Sequence, residues 1–152
     1  MDKFETLFAE YPCVLTDELV KKNTADILAR HTEENNTRQV WMQCLNQIDL
    51  TTLNGDDTTE KVATMAQKVN DFDGHFPGVP NVAAMCVYPA LVETAREVLT
   101  EPIGIAAVAA GFPASQTFIE VKVAEAAMAV AAGATEIDIV ISIGKFLEGN
   151  YQ

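Results

Sequence analysis

The chain of 152 residues is 49% hydrophobic and 21% charged, a composition that is typical of folded globular proteins and unlike that of disordered tails. Its 22 Asp and Glu residues outnumber its 10 Lys and Arg residues, which gives a formal net charge of −12 at pH 7. Because such a surface repels phosphate backbones and anionic lipids, we expect neither nucleic acid nor a membrane as a partner.

The N-terminal region is predicted to be helical. Thr16 is placed to cap a helix that runs to about Arg30, since Asp17 and Glu18 then lie in its electropositive first turn. Residues 32–39 are predicted to form a polar linker. We therefore assign residues 1–45 to an N-terminal helical extension, and residues 46–152 to the domain that follows.

From residue 47 onward, short apolar runs alternate with longer amphipathic stretches, which is the pattern of β–α units in a parallel sheet. The predicted strands cover residues 47–50, 82–87, 103–110 and 136–141. A first helix is indicated by the N-cap and following acid in residues 57–60. Its apolar stripe comprises Val62, Met65, Ala66 and Val69. A second helix begins at Pro89, which a first helical turn tolerates.

A third helix is predicted between the last two strands. Ser115 is placed to cap it, and Gly133 is placed to end it. The residues that we expect to face the core are Val121, Ala124, Met128 and Ala131.

Two of the strands carry an acid on the face opposite their large apolar residues. Side chains alternate across a strand, so Ile137, Ile139 and Ile141 point to one face while Asp138 points to the other. In the first strand, Ile48 and Leu50 are expected to face the helices, and Asp49 and Thr51 share the opposite face. A carboxylate among apolar neighbours is costly unless it is paired, hydrogen-bonded or protonated.

Acids on the helix-free face of a parallel sheet suit the interior of a barrel better than a sheet covered by helices on both faces. The glycine patterns of dinucleotide and P-loop sites are also absent from the sequence. We therefore predict an α/β fold of the (β/α)8 TIM-barrel type, of which the chain holds about four βα units. Chemistry gathers where barrel strands end, at Thr51, Cys86, Tyr88, residues 110–115 and the stretch after Asp138.

The cysteines and histidines predict no metal site and no disulfide framework. Cys13, Cys44 and Cys86 are widely spaced, and the only histidines are His31 and His75. His75 precedes the second strand, at the end of a barrel that rarely carries catalysis, so we expect a surface or packing residue. The N-terminus lacks the features of a secretory signal, and we expect a cytoplasmic protein.

Four segments resemble the first half of the deoxyribose-phosphate aldolase family, in that family's order and spacing. They are residues 48–54 (IDLTTLN), residues 82–89 (VAAMCVYP), residues 111–113 (GFP), and residues 136–141 (EIDIVI) with 149–151 (GNY). The resemblance covers about residues 47–151, and residues 1–45 are similar to the extra helical segment of the family's longer members.

The resemblance implies a class I aldolase on a (β/α)8 barrel. Such enzymes reversibly cleave 2-deoxy-D-ribose 5-phosphate to D-glyceraldehyde 3-phosphate and acetaldehyde through a lysine Schiff base, without metal or other cofactor. It implies that Asp138 relays protons through a bound water. It also implies that Asp49, Thr51 and Leu53 lie at the substrate-facing end of the first strand, with Cys86 beside the sugar pocket.

Each of these residues also has a structural interpretation. In this alternative, Asp138 accepts hydrogen bonds from backbone amides, Asp49 orients a lysine, and Cys86 is a small buried hydrophobic residue. Thr51 either binds substrate or caps the turn, and the sequence does not choose between the two.

The family's Schiff-base lysine lies on a later strand than the four found here. Lys145 follows the fourth strand and is the nearest substitute, but the family pattern aligns it with a solvated loop position. We expect Lys61, Lys68 and Lys122 to occupy exposed helix positions. The chain alone is therefore expected to be inactive.

Half a barrel leaves strand edges and the interior face uncovered. The remainder is expected from polypeptide that continues beyond Gln152, from a separate chain, or from a second copy in a homodimer, and we favour the first. The alternative function is a non-catalytic module that binds sugar phosphates or supports assembly. A transaldolase-like enzyme is disfavoured because residues 136–142 contain no lysine.

Overall fold

The computed structural model describes residues 3–151. These residues form two compact units, one of residues 3–41 with Tyr151 and the other of residues 42–150. The helices of the described residues fall short of the length and hydrophobicity that crossing a membrane requires.

The first unit is helical. Helix α1 spans Lys3–Glu10, helix α2 spans Asp17–Asn35, and the unit includes the start of helix α3 (Arg38–Leu45). The hydroxyl of Thr16 accepts a hydrogen bond from the amide of Leu19, which confirms the predicted cap. The predicted linker is wrong, because most of residues 32–39 are helical. Only Asn36 and Thr37 separate the two helices. The Glu, Arg and Gln residues on either side have high helix propensity, so a polar stretch of this composition forms a solvent-exposed helix as readily as a loop.

The second unit is a four-stranded parallel sheet with helices between its strands, as the sequence predicts. Its strands are β1 (Asp49–Thr51), β2 (Ala84–Val87), β3 (Gly104–Ala109) and β4 (Glu136–Ile139), and they lie in the order β1-β2-β3-β4. Its further helices are α4 (Thr59–Asn70), α5 (Phe72–His75), α6 (Val92–Val98), α7 (Ile119–Ala132) and α8 (Ile143–Leu147). A 3₁₀ turn over Pro89–Leu91 leads into α6.

The apolar core lies between the sheet and the helices. Met85 and Val87 of β2 and Ile105 and Ala107 of β3 point into it. Helices α4 and α6 cover these strands with Val62, Ala66, Val69, Val92 and Ala95. Each strand thus turns one parity of residue toward the helices and leaves the other parity on the opposite face, which confirms the prediction made for the first and fourth strands.

The two edge strands are less covered than the parity pattern predicts. Leu50 and Ile137 pack against the core, but Ile48, Ile139 and Ile141 are 46%, 64% and 57% exposed. An edge strand has one paired neighbour instead of two, so fewer side chains of the described residues reach its outer end.

Helix α7 turns a different face inward from the predicted one. Val121 and Met128 are 50% and 71% exposed, whereas Lys122 and Ala129 are buried. The helix is apolar around most of its circumference, so several apolar stripes fit the helical period equally well. Its N-terminus also differs, because it begins at Ile119 and Ser115 does not cap it, while Gly133 ends it with a φ of 112° as predicted.

Candidate active site

The face of the sheet away from the helices carries the residues that the sequence singles out. The register sets Thr51 beside Cys86 and Cys86 beside Ala106. One step further along, Asp138 lies beside Val108. A small apolar cluster of Cys86, Ala106 and Val108 occupies the middle of this face, and Leu53, Tyr88 and Phe112 pack around it.

Asp138 stands on this face and is exposed. Its carboxylate makes no hydrogen bond or ion pair within residues 3–151, so the desolvation cost expected for an acid among apolar neighbours does not arise. Within the described residues the carboxylate therefore needs no partner, because the sheet face is open to solvent beside it.

Asp49 lies far from Asp138 on the same face. Asp49 is level with Ala84 and through it with Gly104, while Asp138 is level with Val108, four residues further along β3. That offset amounts to about 13 Å along the strands, and three strand spacings of about 4.8 Å separate the two acids across the sheet. The structure does not bring the two carboxylates into one site.

Cys86 is buried at 4% exposure in the centre of this face. Burial raises the pKa of its thiol, and the negative charges of Asp138, Asp49 and Glu136 add to that rise, whereas a hydrogen bond with Thr51 opposes it. A thiol with a raised pKa stays protonated at neutral pH and is a poor nucleophile. Cys86 can therefore form part of a wall but is not suited to attack a substrate.

Thr51 is the last residue of β1, and Leu53 lies two residues further along the chain. Thr51 is exposed, and its hydroxyl donates to the carbonyl oxygen of Asp49 at 2.8 Å. Leu53 is half-buried, and its carbonyl oxygen accepts a hydrogen bond of 3.3 Å from the hydroxyl of Tyr88. Both contacts are compatible with a structural role and leave the Leu53 side chain against the apolar cluster.

Asp57 organises the loop after β1, a role that the sequence did not indicate. Its carboxylate, whose side chain is 1% exposed, accepts hydrogen bonds from the Thr52 hydroxyl, the Asn54 amide and the Lys61 ammonium. The bond with Lys61 is the largest of the causes that lower the pKa of Asp57 to about 2. Asp57 is not the N-cap of helix α4, because the side chain of Thr58 caps that helix. The spacing of four between Asp57 and Lys61 was the available signal.

The lysines divide differently from the prediction. Lys61 and Lys68 are exposed as expected, and Lys145 is an exposed residue that pairs with Glu148 at 3.1 Å. Lys122 is 7% exposed, so its prediction as an exposed residue is wrong. Its ammonium donates to the hydroxyls of Ser115 and Ser142, each at 2.6 Å. A lysine can be buried where its ammonium donates hydrogen bonds to hydroxyls. Ser115 and Ser142 are distant from Lys122 in sequence, so the sequence did not indicate this burial.

A cavity of about 380 Å³ opens beside this cluster, between the loop after β3 and helix α8. Its lining residues are Ser115, Gln116, Thr117, Phe118, Ser142, Gly144, Lys145 and Glu148.

His75 lies in α5, exposed and before β2, as expected. Among residues 3–151, no three His, Cys, Asp or Glu side chains gather closely enough to hold a metal ion.

Comparisons with known proteins relate this arrangement to one family. Residues 44–149 match the family model described as DeoC/LacD family aldolase. Human deoxyribose-phosphate aldolase is 36% identical in an alignment 146 residues long that covers 88% of this chain and 46% of the human protein. The bovine deoxyribose-phosphate aldolase is 35% identical with the same coverage. The chain thus spans about half the length of the curated relatives that it matches.

Solved structures give the same relationship at the level of the fold. QR15, described as an aldolase, superposes with a TM-score of 0.61 at 26% identity over 70% of this chain and 44% of that one. The tetrameric deoxyribose phosphate aldolase of Aeropyrum pernix superposes with a TM-score of 0.59 at 22% identity, over 74% of this chain and 45% of that one. Since the family model and the human relative both match most of its length, the chain belongs to the DeoC/LacD aldolase family.

Proposed function

We propose that the chain forms part of a class I aldolase that reversibly cleaves 2-deoxy-D-ribose 5-phosphate to D-glyceraldehyde 3-phosphate and acetaldehyde. The observation that carries this proposal is the carboxylate of Asp138, exposed near the C-terminal end of β4 on the face that lines the interior of a barrel. In this proposal residues 46–152 are the first half of the barrel and residues 1–45 are a helical extension. The remaining strands come from further polypeptide or a second chain.

Asp138 is the proton relay in this scheme. A lysine amine on the remaining strands condenses with the C1 carbonyl of the open-chain sugar and releases water, which leaves a protonated Schiff base. As the C2–C3 bond breaks, Asp138 takes the proton of the C3 hydroxyl through a bound water, and the electron pair moves into the enamine. Glyceraldehyde 3-phosphate leaves, a proton returns to C2, and hydrolysis releases acetaldehyde and frees the lysine.

The other proposed residues shape the substrate side of the barrel. We assign Thr51 and Leu53 to the wall that contacts the sugar, since they lie at the end of β1 and two residues beyond it. Cys86 contributes its protonated thiol to the same wall. Asp49 is proposed to act on the substrate side through its negative charge. Its distance from Asp138 favours a role in orienting a lysine over proton transfer to the substrate.

Trapping of the Schiff base tests the location of the lysine. The 152-residue chain alone, treated with 2-deoxyribose 5-phosphate and sodium borohydride, should keep its unmodified intact mass and release no glyceraldehyde 3-phosphate. Co-expressed with the part of the human aldolase that follows the matched region, it should support turnover, and the reduced adduct should appear on the human polypeptide. An adduct on this chain would identify Lys145 or another of its own lysines as the nucleophile.

The Asp138→Asn variant in the same two-piece enzyme tests the relay. Because a proton transfer in the transition state is lost, kcat should fall by about 100-fold or more while KM changes by less than about threefold. Asp73→Asn, an exposed acid in α5, is the matched control and should leave both constants unchanged. An unchanged kcat for Asp138→Asn contradicts the assignment and returns Asp138 to a structural role.

A non-catalytic sugar-phosphate-binding or assembly module is the second candidate. It is favoured by the open interior face and by the polar cavity between the loop after β3 and α8. It predicts that calorimetry detects 2-deoxyribose 5-phosphate binding without turnover in any pairing, and that light scattering finds a defined dimer. We propose a cytoplasmic location for either function, consistent with three free cysteines among the described residues.

A further inference from the structure

Lys122 is a buried cation that the proposed chemistry does not use. It lies in the first turn of α7, and its ammonium donates to the hydroxyl of Ser115 in the loop after β3 and to that of Ser142 after β4. Both bonds measure 2.6 Å. The ammonium therefore joins three separate parts of the chain at the end of the sheet where barrel chemistry takes place.

The charge of Lys122 has no acidic partner. None of the ion pairs within residues 3–151 includes it, and the two acceptors of its ammonium are neutral hydroxyls. Burying an ammonium whose two hydrogen-bond acceptors are neutral costs free energy that an apolar side chain would not. Ala129, two turns further along the same face of α7, fills its buried position without a polar group. Packing alone therefore does not account for a lysine at residue 122.

Ser115 extends this connection into β4. Its hydroxyl donates to the carbonyl oxygen of Val140 at 3.1 Å, so it links the loop to a residue two positions after Asp138. Ser115 has a φ of 55°, a left-handed conformation that a non-glycine residue keeps only when its surroundings hold it. Its amide also donates to the carbonyl oxygen of Gly111 at 2.7 Å.

The backbone ladder holds the same part of β4 weakly. The amide of Val140 donates to the carbonyl oxygen of Ala109 at 3.4 Å, a long hydrogen bond that a small displacement of this segment would break. The loop after β3, in contrast, is fastened to α7 at both ends, because Glu125 accepts from the Gly111 amide at 2.8 Å and Lys122 donates to Ser115. Side chains from α7 and this loop thus set the position of the β4 end.

We propose that Lys122 is a positioning residue that holds the end of β4, and with it Asp138, in place against the loop after β3. Its two hydrogen bonds fix Ser142 directly and Val140 through Ser115, and both lie within four residues of Asp138 on the same short segment. The catalytic consequence rests on the proposed function, but the mechanical one does not.

Amide hydrogen exchange on the 152-residue chain tests the mechanical part. Lys122→Met keeps the length of the side chain and removes its charge and donors, so the Val140 amide should exchange at least about tenfold faster while the β2 amides keep their rates. Lys122→Arg should restore slow exchange in large part, because a guanidinium also donates to two hydroxyls. The matched control is Lys68→Met, at an exposed position of α4, which should leave Val140 unchanged.

Two further results decide the mechanical claim. Should Lys122→Met unfold the chain, Ser142→Ala removes one of the two bonds alone and should still speed Val140 exchange, by a smaller factor than the full loss. The proposal would be overturned if Val140 exchanged within about twofold of the wild-type rate in Lys122→Met, or in Ser142→Ala where Lys122→Met does not fold.

Kinetics of the two-piece enzyme test the catalytic part. Lys122→Met should lower kcat by about tenfold or more with KM changed less than about threefold, and Lys122→Arg should recover most of the rate. A purely structural role predicts a lower unfolding temperature with unchanged kcat per folded molecule, and that result would overturn the catalytic consequence. If the wild-type pairing shows no turnover while Val140 responds as expected, the aldolase proposal fails and the positioning by Lys122 stands.

Discussion

The two central strands and the two edge strands of the sheet are held in different ways. Every residue of β2 is buried, and so are all residues of β3 after Gly104, whereas β1 and β4 contain no fully buried residue. Polar clusters instead lie beside the ends of the edge strands, Thr52–Asp57–Lys61 at β1 and Ser115–Lys122–Ser142 at β4. Apolar burial secures the centre of this sheet, and hydrogen-bonded charge secures its margins.

This difference bears on function because the proposed proton relay stands on β4, which is paired on one side only within the described residues. Asp138 needs solvent or substrate beside it, and a strand buried on both faces would deny it both. The polar cluster lies at the strand end, and the carboxylate of Asp138 stays exposed on the interior face. The arrangement thus combines a defined position for the carboxylate with access to it.

The largest expected effect is on the central strands. Met85→Ala in β2 removes a fully buried side chain and should cost about 2–5 kcal/mol in the free energy of unfolding, since a cavity remains. Ile139→Ala in β4 removes a side chain that is 64% exposed and should cost less than about 1 kcal/mol. Urea denaturation of both variants measures the contrast, and equal losses would contradict the division between centre and edge.

Continuous apolar runs were sufficient to predict the two central strands, because a strand covered on both faces needs apolar residues of both parities. The alternation of residues in the edge strands predicted the face of Asp138 and Asp49. It did not predict that Asp138 is exposed, because exposure depends on which other strands and helices cover that face.

The polar cluster of Ser115, Lys122 and Ser142 escaped prediction because its members are far apart in sequence. Helix α7 offers several apolar stripes, and the inward one contains Lys122 and Glu125, whose partners Ser115, Ser142 and Gly111 lie in other segments. Helical periodicity ranks stripes by hydrophobicity and therefore selects against the face that carries charge. Tertiary hydrogen bonds decided the rotation of this helix.

A medium effect is expected at the connection between α7 and β4. Gly133 has a φ of 112°, and a Cβ at this position would overlap the side chain of Arg96. Gly133→Ala should therefore lower the free energy of unfolding by about 1–2 kcal/mol, because a residue with a Cβ is strained at this positive φ. The turn leads into β4, so the strain acts on the entry of that strand into the sheet. Gly55→Ala is the matched control, since nothing lies within 4 Å of its added Cβ. A loss no greater than that of the control would mean that the turn adapts and does not constrain β4.

The smallest expected effect is a pH dependence at the end of β1. The folded chain lowers the pKa of Asp57 from 3.8 to about 2, so its charged form stabilises the fold at neutral pH, and this contribution is lost as pH falls from about 4 toward 2. The stability difference between wild type and Asp57→Asn, measured by urea denaturation at several pH values, should be greatest near pH 6 and shrink over that acidic range. Lys61→Met should remove much of this dependence, because the Lys61 hydrogen bond is the main cause of the lowered pKa. A difference that stays constant down to pH 2 would mean that Asp57 holds the edge of the sheet by hydrogen-bond geometry alone, without its charge.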